Sequence, residues 1–242
     1  MIDIRRFPST DDATAAAAWF IMARLQSKPD LVLGVATGAT MVPVYAHLVA
    51  AHRAGVADFG RLRCFSVDEY VGLPATNPAS FRATMATHFY DPIGIDPARC
   101  FVPDAMATDL IAEAARYDAT ITEAGGIDLM MLGIGINGHI GFNEPPADLA
   151  GRTSPVDLTV ETLNANKRQF ADDIVQPTRA ITMGIATIMD AREILLVATG
   201  AGKRQAIACA FAGPVAQACP ASVLQTHRQV IAILDEAAAS GL

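Results

Sequence analysis

Short, unbroken apolar runs recur along this chain with amphipathic stretches between them, and that alternation most limits what it can fold into. The runs are Leu31–Ala36, Leu62–Val67, Ile127–Ile134, Ala180–Ile185, Glu193–Thr199 and Gln229–Leu234. Between them lie Ala13–Leu25, Val42–Ala54, Ala79–Phe89, Leu110–Glu123 and Lys203–Phe211. A strand that is apolar throughout must be covered on both faces, and such strands alternating with helices build parallel sheets. The expected fold is α/β: a single domain over residues 1–242, with a mostly parallel twisted sheet and helices on both faces. No repeat, low-complexity tract or linker interrupts it. A composition that is 52% hydrophobic but only 6% aromatic suits a core of Ala, Val, Ile and Leu.

Charge and cysteine usage narrow the partners. A net charge of −7 gives no general attraction for nucleic acid or an anionic membrane, so an anionic ligand would need a local cationic pocket. Cys64, Cys100, Cys209 and Cys219 have neither CxxC nor Cys/His spacing, which reads as reduced thiols with no metal site. The start, MIDIRRFPSTDD, is not a signal peptide, and no apolar run approaches the ~20 residues of a membrane span. A soluble cytoplasmic protein is expected.

In open α/β sheets, ligands bind beyond the carboxyl ends of the strands. Four polar segments come directly after apolar runs here: Thr37–Thr40, Asp68–Tyr70, Gly135–His139 and Thr199–Lys203. Thr37, Gly38, Ala39 and Thr40 form either a phosphate cradle at a helix N-terminus or an ordinary strand–helix turn with a Thr cap. Asp68 and Glu69 are either a solvated turn or, if Asp68 enters the crevice, a carboxylate base next to a carbonyl carbon.

Gly133, Gly135 and Gly138 satisfy G-x-G-x-x-G, the dinucleotide fingerprint. The residues after Gly138 defeat that reading, because HIGFNEPP opposes a helix and no acid-tipped strand comes about 20 residues later. The glycines instead let the backbone pass close to a small ligand. His139, in a glycine-rich loop, points to proton transfer with Glu144 to orient it, and their spacing fits no common zinc pattern. Arg168 and Lys203 are either surface ion-pair partners or the local positive charge for a phosphate, Lys203 being the better placed beside Gly200–Gly202.

Taken in order, VATGATMVPVY, FSVDEYVGLPATNPASF, LGIGINGHIGFNEPPADLAGRT and GIATIMDAREILLVATGAGK resemble the glucosamine-6-phosphate deaminase family over most of the chain. The related 6-phosphogluconolactonases have a GxDGH-like element and then a run like ASLFP, whereas IGFNEP stands here. The resemblance implies a Rossmann-like fold of the deaminase/lactonase type. It also implies a metal-free, cofactor-free conversion of glucosamine 6-phosphate and water to fructose 6-phosphate and ammonia. By the same resemblance, Asp68 removes the C2 proton, and His139 with Glu144 and Asn137 serves ring opening. Thr37–Thr40, Gly138, Arg168 and Lys203 hold the substrate and its phosphate, and a mobile lid spans about 158–181.

Three departures from the family pattern matter. Asn137 stands where many members have Asp; it could orient His139 by a hydrogen bond but lends the imidazolium no charge, so His139 is expected to be less basic than beside an Asp. Ala39 replaces a Gly or Ser of the phosphate turn. Ala147, Ser154 and Val156 stand where allosteric members bind an activator with Ser, Arg and Lys, so a non-allosteric type is expected. A lactonase, a deaminase of another hexosamine phosphate and a non-catalytic sugar-phosphate sensor are the competing readings, and the chain could be a monomer or a homo-oligomer.

Overall fold

The computed structural model describes residues 2–167, 170 and 174–242. Among them β1 (Ile2–Phe7), α1 (Thr10–Ser27), β2 (Val32–Val35), α2 (Met41–Arg53), β3 (Arg63–Ser66) and β4 (Asp68–Tyr70) come one after another. Then α3 (Phe81–Met85) runs through a π-helical turn at Ala86–Tyr90 into α4 (Asp91–Ile93), before β5 (Cys100–Phe101), α5 (Leu110–Glu123) and β6 (Leu129–Leu132). The chain continues with β7 (Ser154–Asp157), α6 (Val160–Asn166), β8 (Arg179–Thr182), α7 (Ile185–Met189) and β9 (Glu193–Ala198). It ends with α8 (Arg204–Ala212), β10 (Val230–Asp235) and α9 (Glu236–Ala239).

The main sheet has seven strands in the order β1-β10-β9-β6-β2-β3-β5, every neighbouring pair parallel. Every residue of β2, β6, β9 and β10 is buried, as strands covered on both faces require. The strand period of two divides them. Leu129, Met131, Leu195 and Val197 join Ile21, Tyr45, Leu48 and Phe89 beneath α1 to α4, while Met130, Leu132, Ile194 and Leu196 join Tyr117, Ile207 and Leu224 on the other face. Ser9 caps α1 by accepting from the Asp12 N–H, and α1 turns Ala13, Ala17, Ile21 and Leu25 inward.

Two expectations are corrected by a second, smaller sheet. Its order is β4-β8-β7, antiparallel throughout. The run Ala180–Ile185 does not enter the parallel sheet: Ala180 to Thr182 belong to β8, and Ile185 opens α7. An apolar run records burial, not which sheet it joins, and β8 is buried because it lies between the main core and the Tyr70–Phe81–Phe142 cluster. Asp68–Tyr70 is likewise a strand, not a turn after β3. The chain leaves β3 at Val67, whose N–H donates to Val35 O, and Met183 N–H then donates to Val67 O to start the new ladder. The edge strand β1 gave no apolar signal, since its sequence IDIRRF turns charged residues to solvent.

The junction of β8 and α7 depends on Gly184. A Cβ there would overlap the carbonyl oxygens of Gly151 and Arg152, which are backbone atoms and cannot swing aside. Gly184→Ala is therefore expected to lower stability by roughly 1–3 kcal/mol, the usual cost of overpacking, read as a fall in the urea midpoint with an unchanged slope.

Candidate active site

All seven main strands point their carboxyl ends to one edge of the sheet, and the segments leaving β2, β6 and β9 meet there. Together with β4 they wall a cleft of ≈ 340 Å³ lined by Thr37, Gly38, Ala39, Thr40, Asp68, His139 and Lys203, among others. Of the remaining residues singled out from sequence, Asn137, Gly138 and Glu144 are not part of its wall, and Arg168 lies outside the described residues.

One end of the cleft is cationic. Gly38 has φ 122°, a conformation that a side chain would strain, and Met41 N–H donates back to Gly38 O as α2 begins. Thr40 makes no side-chain bond to the helix end, which removes the cap as the reason for its hydroxyl. The N-terminus of this 13-residue helix thus opens on the cleft. Across from it, Lys203 comes after Gly200 (φ 86°) in a 3-10 turn, Ala201–Lys203, ahead of α8. Its Nζ donates to Ile134 O at 2.6 Å, and burial holds its pKa below the ordinary lysine value.

The adjacent acids of β4 have separate fates, because successive side chains of a strand face opposite ways. Glu69 is turned away from the cleft to the start of α3. Its Oε1 accepts from Tyr70 and Phe81 N–H and its Oε2 from Arg82 N–H, each at 2.9 Å. Burial still raises its pKa, against the pull of those donors. Asp68 faces the cleft at 8% exposure. Burial, and secondarily the charge of Glu69, pushes its carboxyl from the ordinary 3.8 up to about 8.

His139 rests on glycine. A Cβ on Gly135 would overlap the imidazole ring, and Gly135 N–H donates to His139 O at 2.8 Å. Gly138 (φ 87°) passes so close to Cys219 that a Cβ would lie 2.9 Å from its Sγ. No helix comes after β6: residues 133–150 run as turns with a single bridge between Ile140 and Asn143, so the helix that a dinucleotide fingerprint needs is missing here. Burial, reinforced by Lys203 and opposed by Glu144, lowers the His139 pKa, so the ring is neutral at neutral pH.

Asn137 differs from expectation. Its Oδ1 accepts from the His139 backbone N–H at 3.2 Å, and its Nδ2 donates to Glu144 Oε2 at 3.4 Å, so it shapes the loop and touches the carboxylate instead of the imidazole. Glu144 Oε2 also accepts from the Thr159 hydroxyl at 2.7 Å. Among the described residues, His139 Nδ1 and Glu144 Oε1 are buried polar atoms with no hydrogen-bond partner.

Sequence reasoning missed Thr159, Tyr70 and Asn166. Asn166 lines the cleft and donates to the Tyr70 hydroxyl at 2.9 Å. Only Thr159 left a trace in the sequence, as a threonine in a helix-cap position before VETLNAN. Among the described residues no three His, Cys, Asp or Glu side chains converge as metal ligands.

Comparison with known proteins gives a consistent picture. The family described as glucosamine-6-phosphate isomerases/6-phosphogluconolactonase matches residues 8–232. A glucosamine-6-phosphate deaminase of Shewanella loihica is 49% identical over 222 residues, covering 92% of this chain and 83% of its own. One from Rhodopirellula baltica is 47% identical over 240 residues, covering 99% and 96%. Among solved structures, a monomeric glucosamine-6-phosphate deaminase superposes with a TM-score of 0.95 at 36% identity, covering 99% of this chain and 100% of its own. The 6-phosphogluconolactonase of Trypanosoma brucei shares the fold, with a TM-score of 0.75 at 22% identity over 100% of this chain and 99% of its own.

The raised Asp68 pKa has a stability consequence with a definite sign. Between pH 3.8 and about 8 the folded protein keeps a proton that the unfolded chain has lost, so stability falls as pH rises through that window and levels off above it. Asp68→Asn cannot ionise and escapes the loss. It is expected to resist urea better than the parent at pH 8 by on the order of a few kcal/mol, with the gain vanishing toward pH 4.

Proposed function

The chain belongs to the glucosamine-6-phosphate isomerase/6-phosphogluconolactonase family, and on that footing we propose that it is the deaminase. It converts glucosamine 6-phosphate and water to fructose 6-phosphate and ammonia. The observation that carries this reading is a buried carboxylate, Asp68, and a neutral imidazole, His139, in one cleft whose far end is cationic. The lactonases among the solved relatives share only the fold, whereas relatives named deaminase match nearly half of the residues over most of the chain.

The sugar phosphate sits with its phosphate at Thr37–Thr40, where backbone N–H groups and the start of α2 favour an anion and Lys203 supplies charge. Gly138 keeps the loop low beneath the sugar. Arg168, outside the described residues, is assigned as a second cation on the resemblance alone. A neutral His139 takes the anomeric hydroxyl proton and returns one to the ring oxygen, which opens the pyranose; Glu144 and Asn137 hold the loop that carries it. Asp68, once ionised, removes the C2 proton of the open aldose, giving an enediol-type intermediate. Reprotonation at C1 leaves the nitrogen on C2 as an imine, and water releases it as ammonia.

An ionised Asp68 in a dry cleft is costly, and the substrate's own ammonium is the charge that offsets it. Within the segment 158–181 the lid is its α6 end, where Ala165 and Asn166 line the cleft; its last residues belong to the buried strand β8, and others lie outside those described. Ala147 is buried, and no activation by an amino-sugar phosphate at Ala147, Ser154 and Val156 is expected. Among the described residues no helix is long and apolar enough to cross a membrane, and the cysteines are free thiols, which supports a place in the cytoplasm.

Incubation with glucosamine 6-phosphate is expected to yield ammonia and fructose 6-phosphate in equal amounts, with no hydrolysis of 6-phosphogluconolactone. The reverse pattern would make the protein a lactonase. Asp68→Asn is expected to lower kcat by ~10²–10⁴-fold, the usual worth of a positioned base, while still binding fructose 6-phosphate in calorimetry. Gly135→Ala, which pushes the imidazole off its seat, is expected to lower kcat by about 10²-fold with KM little changed.

A further inference from the structure

Helix α6 is tied into the site at both ends. At its start the Thr159 hydroxyl accepts from Thr162 N–H at 3.3 Å as the helix cap, and gives its own proton to Glu144 Oε2 at 2.7 Å. Near its end Asn166 donates to the hydroxyl of Tyr70, the last residue of the strand that carries Asp68. Between these ties the helix brings Ala165 and Asn166 to the cleft wall.

A hydroxyl has one proton to give, so its destination matters. A threonine serving only as a cap needs its oxygen lone pair and leaves the proton to water. Here the proton goes to the Glu144 carboxyl in the His139 loop, at an ordinary length for a hydroxyl donor, while the cap bond is long. The same oxygen, Oε2, also receives the longer Asn137 bond. The other oxygen, Oε1, is left buried without a partner among the described residues, as is His139 Nδ1.

We propose that Thr159 is a positioning residue for the acid–base pair. By holding Oε2 it fixes the carboxylate's rotation and keeps Oε1 for proton exchange with His139. Because the same hydroxyl caps α6, the position of the carboxylate is tied to that of the helix. This inference rests on the deaminase reading for its kinetic consequence, but not for its electrostatic one.

Three substitutions separate positioning from capping. Thr159→Ser keeps both bonds; Thr159→Val loses both; Thr159→Asp keeps the cap but sets a second carboxylate against Glu144. With glucosamine 6-phosphate, kcat is expected to fall about ten- to a hundredfold in Thr159→Val, the worth of one hydrogen bond to a charged group, and at least as far in Thr159→Asp. KM should stay within about threefold and Thr159→Ser should restore most of kcat, since only the geometry of an acid–base group has changed. The His139 imidazole, titrated by NMR without substrate, is expected to move to higher pKa in Thr159→Val, because the freed carboxylate can turn toward it. A Thr159→Asp protein with parental kcat, or a Thr159→Val protein with parental kcat and an unmoved imidazole, would overturn the proposal. If the parent lacks deaminase activity the functional reading falls, and the imidazole titration alone still decides whether Thr159 positions the pair.

Discussion

A parallel sheet covered on both faces leaves chemistry only one place to go. Every residue of β2, β6, β9 and β10 is buried, so no polar group of those strands is spare for a ligand along their length. Polar side chains can appear only where the strands stop, and parallel strands all stop on the same side. The glycine turn after β2, the histidine loop after β6 and the lysine turn after β9 are far apart in sequence, yet they share one cleft for that reason. The small antiparallel sheet adds what the large one cannot. It takes β4 off the edge of the main sheet and delivers a carboxylate sideways into the cleft.

The pair Asp68–Glu69 shows how local geometry decides the chemistry of like residues. Both carboxylates are buried and both are raised. Glu69 is given three backbone donors at a helix start and becomes a structural anchor between β4 and α3. Asp68 faces a cleft in which Lys203 is engaged with the Ile134 carbonyl, and burial leaves it much the weaker acid. A one-residue slip of β4 would turn Glu69 to the cleft and Asp68 away from it.

Much of the main sheet was legible because its strands are buried on both faces and therefore leave an unbroken apolar signature: Val32–Val35, Leu129–Leu132, Glu193–Ala198 and Val230–Asp235 all lie within runs visible in the sequence or within one residue of them. The features that escaped have physical reasons. An edge strand such as β1 is half solvated, and its arginines resemble a surface segment. The Ala180–Ile185 run records that β8 is buried, not that it runs antiparallel in another sheet. Within the site, residue types at strand ends could be read, but hydrogen-bond partners could not. The sequence points Asn137 at the imidazole, yet its side chain bonds Glu144 and the His139 backbone N–H. Thr159, 15 residues from Glu144 in sequence, meets it only in the fold, after the intervening chain has formed β7 against β8.

The electrostatics of the cleft suit an acidic protein that must capture an anion. With a net charge of −7, long-range attraction for a sugar phosphate is absent, and a second negative charge inside the cleft would weaken what Lys203 and the α2 terminus provide. Burial removes that charge at neutral pH by keeping the proton on Asp68, and it keeps His139 neutral as well. Among the described residues, an approaching phosphate then meets Lys203 and the start of α2 beside a neutral Asp68. In the proposed reaction the base is needed only after binding, and the amino group of the substrate carries the positive charge that favours ionising Asp68. In that proposed reaction a sugar phosphate without the amine would lack the charge that makes Asp68 a base. On that proposal, selectivity for an amino sugar arises from the protonation state of Asp68 as well as from contacts to the nitrogen.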